Sequence, residues 1–275
     1  MTARMLVNGV AATQVSALDR GLAYGDGLFE SIRFVGASAP LWSRHMQRLA
    51  EGCARLQIPA PDPVQLWREA LEVSRGMPQS VLRITVTRGP GERGYSLPAS
   101  PQPTRIVAAF VPPPVAAEVH VQGVRMRVCN IRLAEQPLLA GIKHLNRLEQ
   151  VLARAEWNDP AIAEGLLLDS HGRVISATMA NLFAVIDGEL LTPSLDRCGV
   201  AGVARAEVLA ACPQARIGEL ALDTLLGAGE VFLSSSVRGI LPVRSLDGRG
   251  YASGATTRRL QQHWRDLGFS MEQGG

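Results

Sequence analysis

Hydrophobic and polar residues follow two different periods along this chain, which predicts a protein of mixed helices and strands. Residues 43–59, SRHMQRLAEGCARLQIP, place apolar side chains at helical spacing after Ser43, the expected N-cap. In residues 62–76, DPVQLWREALEVSRG, Asp62 is the expected cap of a second helix and Pro63 lies in its first turn. The following segments SVLRITVTRG and TRIVAAFV have the alternation typical of strands.

The second half of the chain continues this mixture. A strand pattern, VHVQGVRMRVC, is followed by LNRLEQVLARAEW, which predicts a helix directly after Lys143, and Asp187-Gly188 predicts a hairpin. GVARAEVLAAC predicts a short helix entered through glycines, and ATTRRLQQHWRDLGF predicts a closing amphipathic helix. The proline-rich run at about 111–118 separates two patterned regions. We therefore predict an α/β (α+β) fold with an N-terminal α/β domain, residues 1–113, and a C-terminal domain, residues 119–275.

Composition narrows the class of protein. The chain of 275 residues is 47% hydrophobic and 19% charged, which is enough for two globular domains with apolar cores. A net charge of +3, no long basic run and 5% aromatic residues do not suggest nucleic-acid binding. The four cysteines are scattered without metal-ligand spacing, and no apolar run approaches the length of a membrane span or a secretion signal. We expect a cytoplasmic protein without a metal, membrane or nucleic-acid partner.

One residue stands out from this composition. The chain has 28 lysines and arginines, and all but Lys143 are arginine. A GC-rich genome accounts for the arginines but not for the exception. A guanidinium stays protonated, whereas a desolvated lysine amine can lose its proton and attack a carbonyl carbon. Lys143 is therefore a candidate nucleophile, and pyridoxal 5'-phosphate is the usual carbonyl partner of such a lysine.

Three segments could hold the phosphate of that cofactor. The glycines of GVAGVARAEVL precede a helix, so the amides of Val203 and Ala204 could bind an anion at its N-terminus. The serines at 234–236 end a strand, and Arg48 lies beside the apolar stripe of its helix. Each has an ordinary alternative, namely a flexible loop, solvated hydroxyls and an arginine that extends to solvent.

The glycine-rich segment GPGERGYS, residues 89–96, follows a strand but opens no helix, which excludes a Rossmann motif. Its Arg93 and Tyr95 could contact a substrate carboxylate or belong to a polar hairpin turn.

Taken together, these segments carry a resemblance. DRGLAYGDGLFESIR, HMQRL, RGYS, AGIKHLNRLEQVLAR, NLF and GVAG occur in an order that is similar to the class-IV pyridoxal-phosphate enzymes. That family includes branched-chain and D-amino-acid aminotransferases and 4-amino-4-deoxychorismate lyase, and GIKHLNRLEQVL and GERGYS resemble the lyase branch. The resemblance covers nearly the whole chain. It implies a fold like that of D-amino-acid aminotransferase, with the cofactor between two domains and anchored by the C-terminal one, and a homodimer whose loops complete each other's sites.

The resemblance also implies roles for individual residues. Lys143 matches the lysine that forms an aldimine with the cofactor, and Ser31 falls where the lyase has a threonine near the substrate. Four residues match phosphate-binding positions: Arg48, Val203, Ala204 and Ser236. Ser176 departs from the pattern, because the family commonly has a glutamate there that holds the pyridine nitrogen. A hydroxyl supplies no counter-charge, which weakens the cofactor as an electron sink and disfavours transamination more than elimination.

We therefore expect a lyase that converts 4-amino-4-deoxychorismate to 4-aminobenzoate and pyruvate in folate biosynthesis. Lys143 would remove the C4 proton and Ser31 would assist the leaving oxygen, while Arg93 and Tyr95 would hold carboxylates. The alternatives are a branched-chain or D-amino-acid aminotransferase and a non-catalytic binding protein of the same fold.

Overall fold

The computed structural model describes residues 4–113 and 115–269, and this part of the chain forms two compact units. Unit 1 comprises the described residues through Pro113 together with Ile142–Asn146. Unit 2 comprises residues 115–141 and 147–269. The short segment that contains Lys143 thus packs with unit 1, although residues of unit 2 precede and follow it. The domain boundaries predicted from the sequence did not include this exchange.

Unit 1 is built on one antiparallel sheet. Its strands have the order β2-β1-β5-β4-β3, so β3 is at the edge. The elements in chain order are β1 (Arg4–Val7), β2 (Val10–Ala11), α1 (Arg20–Tyr24), β3 (Gly27–Val35), α2 (Trp42–Leu56), α3 (Pro63–Ser74), β4 (Gln79–Thr87) and β5 (Thr104–Phe110).

The side chains of β3 alternate between the two faces of the sheet. Leu28, Ile32 and Phe34 are buried in the apolar core that also contains residues of α2 and α3. Because successive side chains of a strand point to opposite faces, Phe29 and Ser31 lie on the other side of the sheet.

The two predicted helices of unit 1 are present, and one of the two predicted caps is wrong. Asp62 accepts a hydrogen bond from the Val64 amide at 2.9 Å and Pro63 is the first helical residue, as predicted. Helix α2 instead begins at Trp42, and its N-cap makes no side-chain hydrogen bond, so Ser43 lies inside the helix. The Trp42 ring packs edge-on against Phe34 with centroids 6.3 Å apart, which extends the helix beyond the polar signal.

Unit 2 contains a larger, mixed sheet. Its strand order is β11-β10-β9-β12-β13-β6-β7-β8, and β14 pairs with β13. The β13–β6, β6–β7 and β10–β11 pairs are parallel and the rest of this path is antiparallel. The elements are α4 (Ala117–Gln122), β6 (Val124–Leu133), α5 (Leu148–Arg154), β7 (Ile162–Asp169), β8 (Val174–Ala177), β9 (Asn181–Ile186), β10 (Glu189–Pro193), α6 (Val203–Ala211), β11 (Arg216–Gly218), α7 (Leu222–Leu226), β12 (Glu230–Ser235), β13 (Gly239–Leu246), β14 (Arg249–Gly250) and α8 (Ala255–Asp266).

In unit 2, most of the elements predicted from local sequence signals are present. The predicted hairpin joins β9 to β10, and both Asp187 and Gly188 have positive φ, 51° and 83°. The predicted helices α6 and α8 are also present. The strand predicted from Val119 begins only at Val124, because the preceding residues form α4 and Gly123 ends that helix with a φ of 81°. Among the described residues, no helix is long and apolar enough to cross a bilayer.

Candidate active site

Lys143 is held by the edge of the unit 1 sheet. Its carbonyl oxygen accepts a hydrogen bond from the Phe29 amide at 3.0 Å, and the Leu145 amide donates to the Gly27 carbonyl at 2.9 Å. The prediction that Lys143 directly precedes a helix was wrong, since α5 begins only at Leu148. Residues 143–145 lie beside β3, and their backbone groups bond to that strand instead of to a helical turn.

The side chain of Lys143 lies over an aromatic ring. Its Nζ is 4.2 Å from the centroid of Phe29, and Cζ of Arg83 is 3.8 Å from the same centroid. The Phe29 side chain is almost completely buried, so the ring is a fixed surface that places both cations.

Ser31 lies beside these groups. It is the register partner of Arg83 across the β3–β4 pair, so the two side chains are neighbours on the face of Phe29. The Lys143 amine, the Ser31 hydroxyl and the Arg83 guanidinium therefore share one face of the sheet. Among the described residues Arg83 has no carboxylate partner, and burial lowers its pKa. A guanidinium in this situation is a site for a ligand anion.

Sequence reasoning missed Arg83, since an arginine in a strand pattern normally points to solvent. The available signal was its position inside SVLRITVTRG, between apolar residues of a strand.

Arg48 lies in a second polar group, on the core side of β3. Its Nε donates to Oε1 of Glu30 at 2.8 Å and its Nη2 donates to Oε2. Nδ1 of His45 is 2.6 Å from the same Oε2. Burial acts to raise the pKa of Glu30, but the charge of Arg48 and the hydrogen bonds from Arg48 and His45 outweigh it and hold this pKa at about 2.

The predicted phosphate amides lie at the start of α6. Gly202 is the N-cap and, having no side chain, offers no capping oxygen to the first amides of the helix. Asn181 fixes this terminus, because its Oδ1 accepts from the Gly202 amide at 3.0 Å and its Nδ2 donates to the Val200 carbonyl at 2.9 Å. Val203 and Ala204 are buried.

The three serines at the end of β12 have different environments. Ser235 accepts from the amides of Val237 and Arg238 at 3.3 and 3.1 Å and closes the turn that contains Ser236. The Ser234 hydroxyl is buried and has no hydrogen-bond partner among the described residues. A buried hydroxyl without a partner is expected where a ligand supplies the missing hydrogen bond.

Ser176 lies on β8 opposite Leu167 of β7 and is 8% exposed. Just after β8, Thr178 donates to Glu164, a fully buried carboxylate that also pairs with Arg238. The nearby buried acid is thus already paired with a cation, and Ser176 itself presents a neutral hydroxyl.

Arg93 and Tyr95 lie in the loop after β4 rather than on the strands that carry Phe29 and Arg83, and both are exposed. The loop is attached to α1, since the Gly94 amide donates to the Tyr24 hydroxyl at 3.0 Å and the Gly94 carbonyl accepts from Nη1 of Arg20 at 3.0 Å.

The residues predicted to hold pyridoxal phosphate are thus divided between the units. Lys143 and Arg48 belong to unit 1, and the remainder belong to unit 2: Ser176, Val203, Ala204 and Ser236. Within each unit the residues suit the group, since unit 1 offers an amine over an aromatic ring. Unit 2 offers the start of α6 and the buried Ser234 hydroxyl, which has no hydrogen-bond partner among the described residues.

Comparison with known proteins identifies the family of this chain. The family described as amino-transferase class IV matches residues 27–246. The chain therefore belongs to the class-IV aminotransferases, a family of pyridoxal-phosphate enzymes, which confirms the predicted family and cofactor.

Particular relatives include both predicted branches. Aminodeoxychorismate lyase of Vibrio harveyi is 37% identical over 267 residues, which cover 93% of this chain and 97% of the relative. The crystal structure of 4-amino-4-deoxychorismate lyase from Pseudomonas aeruginosa is 48% identical with a TM-score of 0.91, covering 95% of this chain and 98% of that one. The branched-chain amino acid aminotransferase of Escherichia coli is 26% identical with a TM-score of 0.87, covering 98% and 96%. These similarities confirm the predicted fold class.

Proposed function

We propose that this protein is a 4-amino-4-deoxychorismate lyase, which releases pyruvate and forms 4-aminobenzoate, a folate precursor. The observation that carries the proposal is the sheet face of unit 1, where the Lys143 amine and the Arg83 guanidinium lie over Phe29 and the Ser31 hydroxyl shares their face. Among the described residues, this guanidinium has no carboxylate partner. The identities of 37% and 48% to the V. harveyi and P. aeruginosa lyases exceed the 26% to the E. coli aminotransferase, which supports the same activity.

Lys143 is the proposed base. Bound pyridoxal phosphate supplies an electron-withdrawing conjugated system that acidifies the C4–H bond of the attached substrate. In its neutral form, Nζ of Lys143 accepts the C4 proton. Its position over Phe29 restricts where the amine stands, so the direction of proton removal is set before the substrate arrives.

Ser31 is the proposed acid. As the C4 proton leaves, the C3–O bond breaks and its electron pair goes to the oxygen of the enolpyruvyl group. The Ser31 hydroxyl donates or relays a proton to that oxygen, a contribution of about 10²- to 10⁴-fold for general acid catalysis. The released enol becomes pyruvate and the ring becomes aromatic, which provides the driving force.

The substrate is a dicarboxylate, and we propose Arg83 as one of its carboxylate ligands. The guanidinium lies on the face of the amine and has no anionic partner of its own among the described residues. Arg93 and Tyr95 remain proposed ligands of the other carboxylate, in an exposed loop. For the cofactor phosphate we propose Arg48, the amides of Val203 and Ala204, and the Ser236 hydroxyl.

Ser176 is proposed to lie at the pyridine nitrogen, where its neutral hydroxyl disfavours transamination. This assignment favours the lyase over the second candidate, a branched-chain or D-amino-acid aminotransferase, which the similarity to the E. coli enzyme supports. The two differ in stoichiometry. The lyase forms pyruvate without an acceptor, whereas the aminotransferase depends on a keto acid such as 2-oxoglutarate.

The first prediction tests Lys143. We expect the wild-type protein to convert 4-amino-4-deoxychorismate to 4-aminobenzoate, measured by fluorescence, and to retain a pyridoxyl label on Lys143 after borohydride reduction. Lys143→Ala loses both, because no other lysine is present. Arg216→Ala, at a side chain that is 68% exposed, is the control and retains both. Pyruvate release by Lys143→Ala, or a requirement for 2-oxoglutarate in the wild type, would contradict the lyase proposal.

We further propose that the enzyme works in the cytoplasm as a homodimer. The four cysteines are free thiols, which suits a reducing compartment. Helix α5 and the loop before it expose several large apolar side chains, which suits contact with a second copy: Leu138, Leu148, Val151 and Leu152.

A further inference from the structure

Glu30 occupies a position that the strand pattern assigns to the core. Leu28 and Ile32 precede and follow it on the same face of β3, and both belong to the apolar core of unit 1. The Glu30 residue is 1% exposed. A carboxylate buried among apolar side chains is costly unless it is paired and hydrogen-bonded. Its presence at this position indicates a task other than packing.

The partners of Glu30 come from one face of α2. Arg48 donates through Nε at 2.8 Å and through Nη2, so one edge of its guanidinium fits both carboxylate oxygens. His45, three residues earlier on the helix, approaches Oε2 through Nδ1 at 2.6 Å. A single carboxylate therefore receives three donors from two neighbouring turns of α2.

His45 acts here as a neutral donor. Burial lowers its pKa and the charges of Arg48 and Lys143 lower it further, against the opposing effect of Glu30. The proton is therefore assigned to Nδ1, which donates to the ionised Glu30. The His45 residue is completely buried, and its Nε2 has no hydrogen-bond partner among the described residues. The ring therefore fixes the rotation of the carboxylate without a second charge.

We propose that Glu30 is a positioning residue that orients the Arg48 guanidinium to bind a phosphate monoester, and that His45 keeps Glu30 in place. The inference rests on the proposed role of Arg48 with pyridoxal phosphate. A guanidinium fixed along one edge cannot rotate about its long side chain, so less entropy is lost when its other donors meet the phosphate. Loss of the two hydrogen bonds to Glu30, the fork, removes this restraint on Arg48 without removing its charge.

Glu30→Gln is the informative change. The amide keeps the shape of the side chain, but its NH2 group faces donors of Arg48 or His45, so the fork is lost. Affinities for pyridoxal 5'-phosphate and for pyridoxal, which lacks the phosphate, are measured by absorbance titration of the full-length apoprotein. We expect affinity for the phosphorylated form to fall by about tenfold or more, the size of one charge-assisted hydrogen bond, with affinity for pyridoxal unchanged. In an Arg48→Met background, Glu30→Gln has no further effect.

Unit 1 offers a matched control. Glu69 forms the same fork with Arg105, at 2.8 and 2.6 Å, and is also buried. Glu69→Gln breaks an equivalent ion pair and leaves the ratio of the two affinities unchanged. If Glu30→Gln does not fold, Glu30→Asp is tested instead, since it keeps the charge but moves the carboxylate away from Arg48. We then expect a smaller loss of affinity for pyridoxal 5'-phosphate relative to pyridoxal.

Parallel weakening of both affinities by Glu30→Gln, or an additive loss in the Arg48→Met background, would show a merely structural role and overturn the proposal. A wild-type protein that binds neither compound would contradict the proposed function instead.

Discussion

At the scale of single residues, the sequence singles out a candidate for chemistry only where a residue type is unusual in itself. Lys143 is conspicuous because every other basic residue is arginine. Arg83 is one arginine among many, and its significance depends on the β3–β4 register, which places it opposite Ser31. Glu30 likewise looks like an ordinary polar residue until its burial is known. Pairing and burial are non-local properties, and short sequence patterns do not contain them.

Arg83 gives a second prediction at this scale. Arg83→Met removes the guanidinium but keeps an apolar stem beside Phe29. We expect KM for 4-amino-4-deoxychorismate to rise by about tenfold or more, the loss of one charge-assisted carboxylate contact, with a smaller change in kcat. Steady-state kinetics on Arg93→Met, in the exposed loop, provides the comparison. A larger KM effect at Arg93 than at Arg83 would assign the dominant carboxylate contact to the loop.

At the scale of elements, helices and turns were predicted correctly where their signals are contained in a few adjacent residues. The Asp62 cap, the hairpin at Asp187 and the glycine entry to α6 are of this kind. The start of α5 was mispredicted because β3 takes the backbone hydrogen bonds of residues 143–145. The sequence pattern there is helical, and a partner more than a hundred residues away overrides it.

The entry to α6 yields a third prediction. A Cβ at Gly202 would lie 2.1 Å from Oδ1 of Asn181, and that side chain is held by hydrogen bonds at both ends. Gly202→Ala should therefore lower the free energy of unfolding by about 1–3 kcal/mol, as overpacking does, and weaken binding of pyridoxal phosphate. The matched change is Gly218→Ala, where a Cβ would meet nothing within 4 Å. Denaturant unfolding of both variants checks this, and equal stability would contradict the steric argument.

At the scale of the whole molecule, composition and element order were enough to indicate a mixed fold of globular domains. They could not show that Ile142–Asn146 returns to unit 1, because that depends on which sheet edge the segment meets. Nor could they show that the apolar stripe of α5 faces outward, with Leu148 75% and Leu152 57% exposed. A helical stripe is normally read as a core contact.

The last prediction concerns the association of two copies of the chain. Leu152→Glu places a charge in the exposed apolar face of α5, so a homodimer that uses this face should dissociate, measured by sedimentation at several protein concentrations. Ile217→Glu alters another exposed apolar residue of unit 2, 55% exposed on β11, and should leave association unchanged. A wild-type monomer, or a Leu152→Glu variant that still dimerises, would reject this face as the interface.

The return of Ile142–Asn146 to the first sheet has a consequence for biosynthesis. While the chain is being made, β3 is a bare edge strand whose amides could pair with another nascent chain. That hazard lasts until residue 145 leaves the ribosome, since the Leu145 amide and the Lys143 carbonyl complete the edge. The same event that completes this sheet edge places the Lys143 amine over Phe29. An amino-terminal fragment ending at residue 113 would therefore expose an aggregation-prone strand and lack the proposed base.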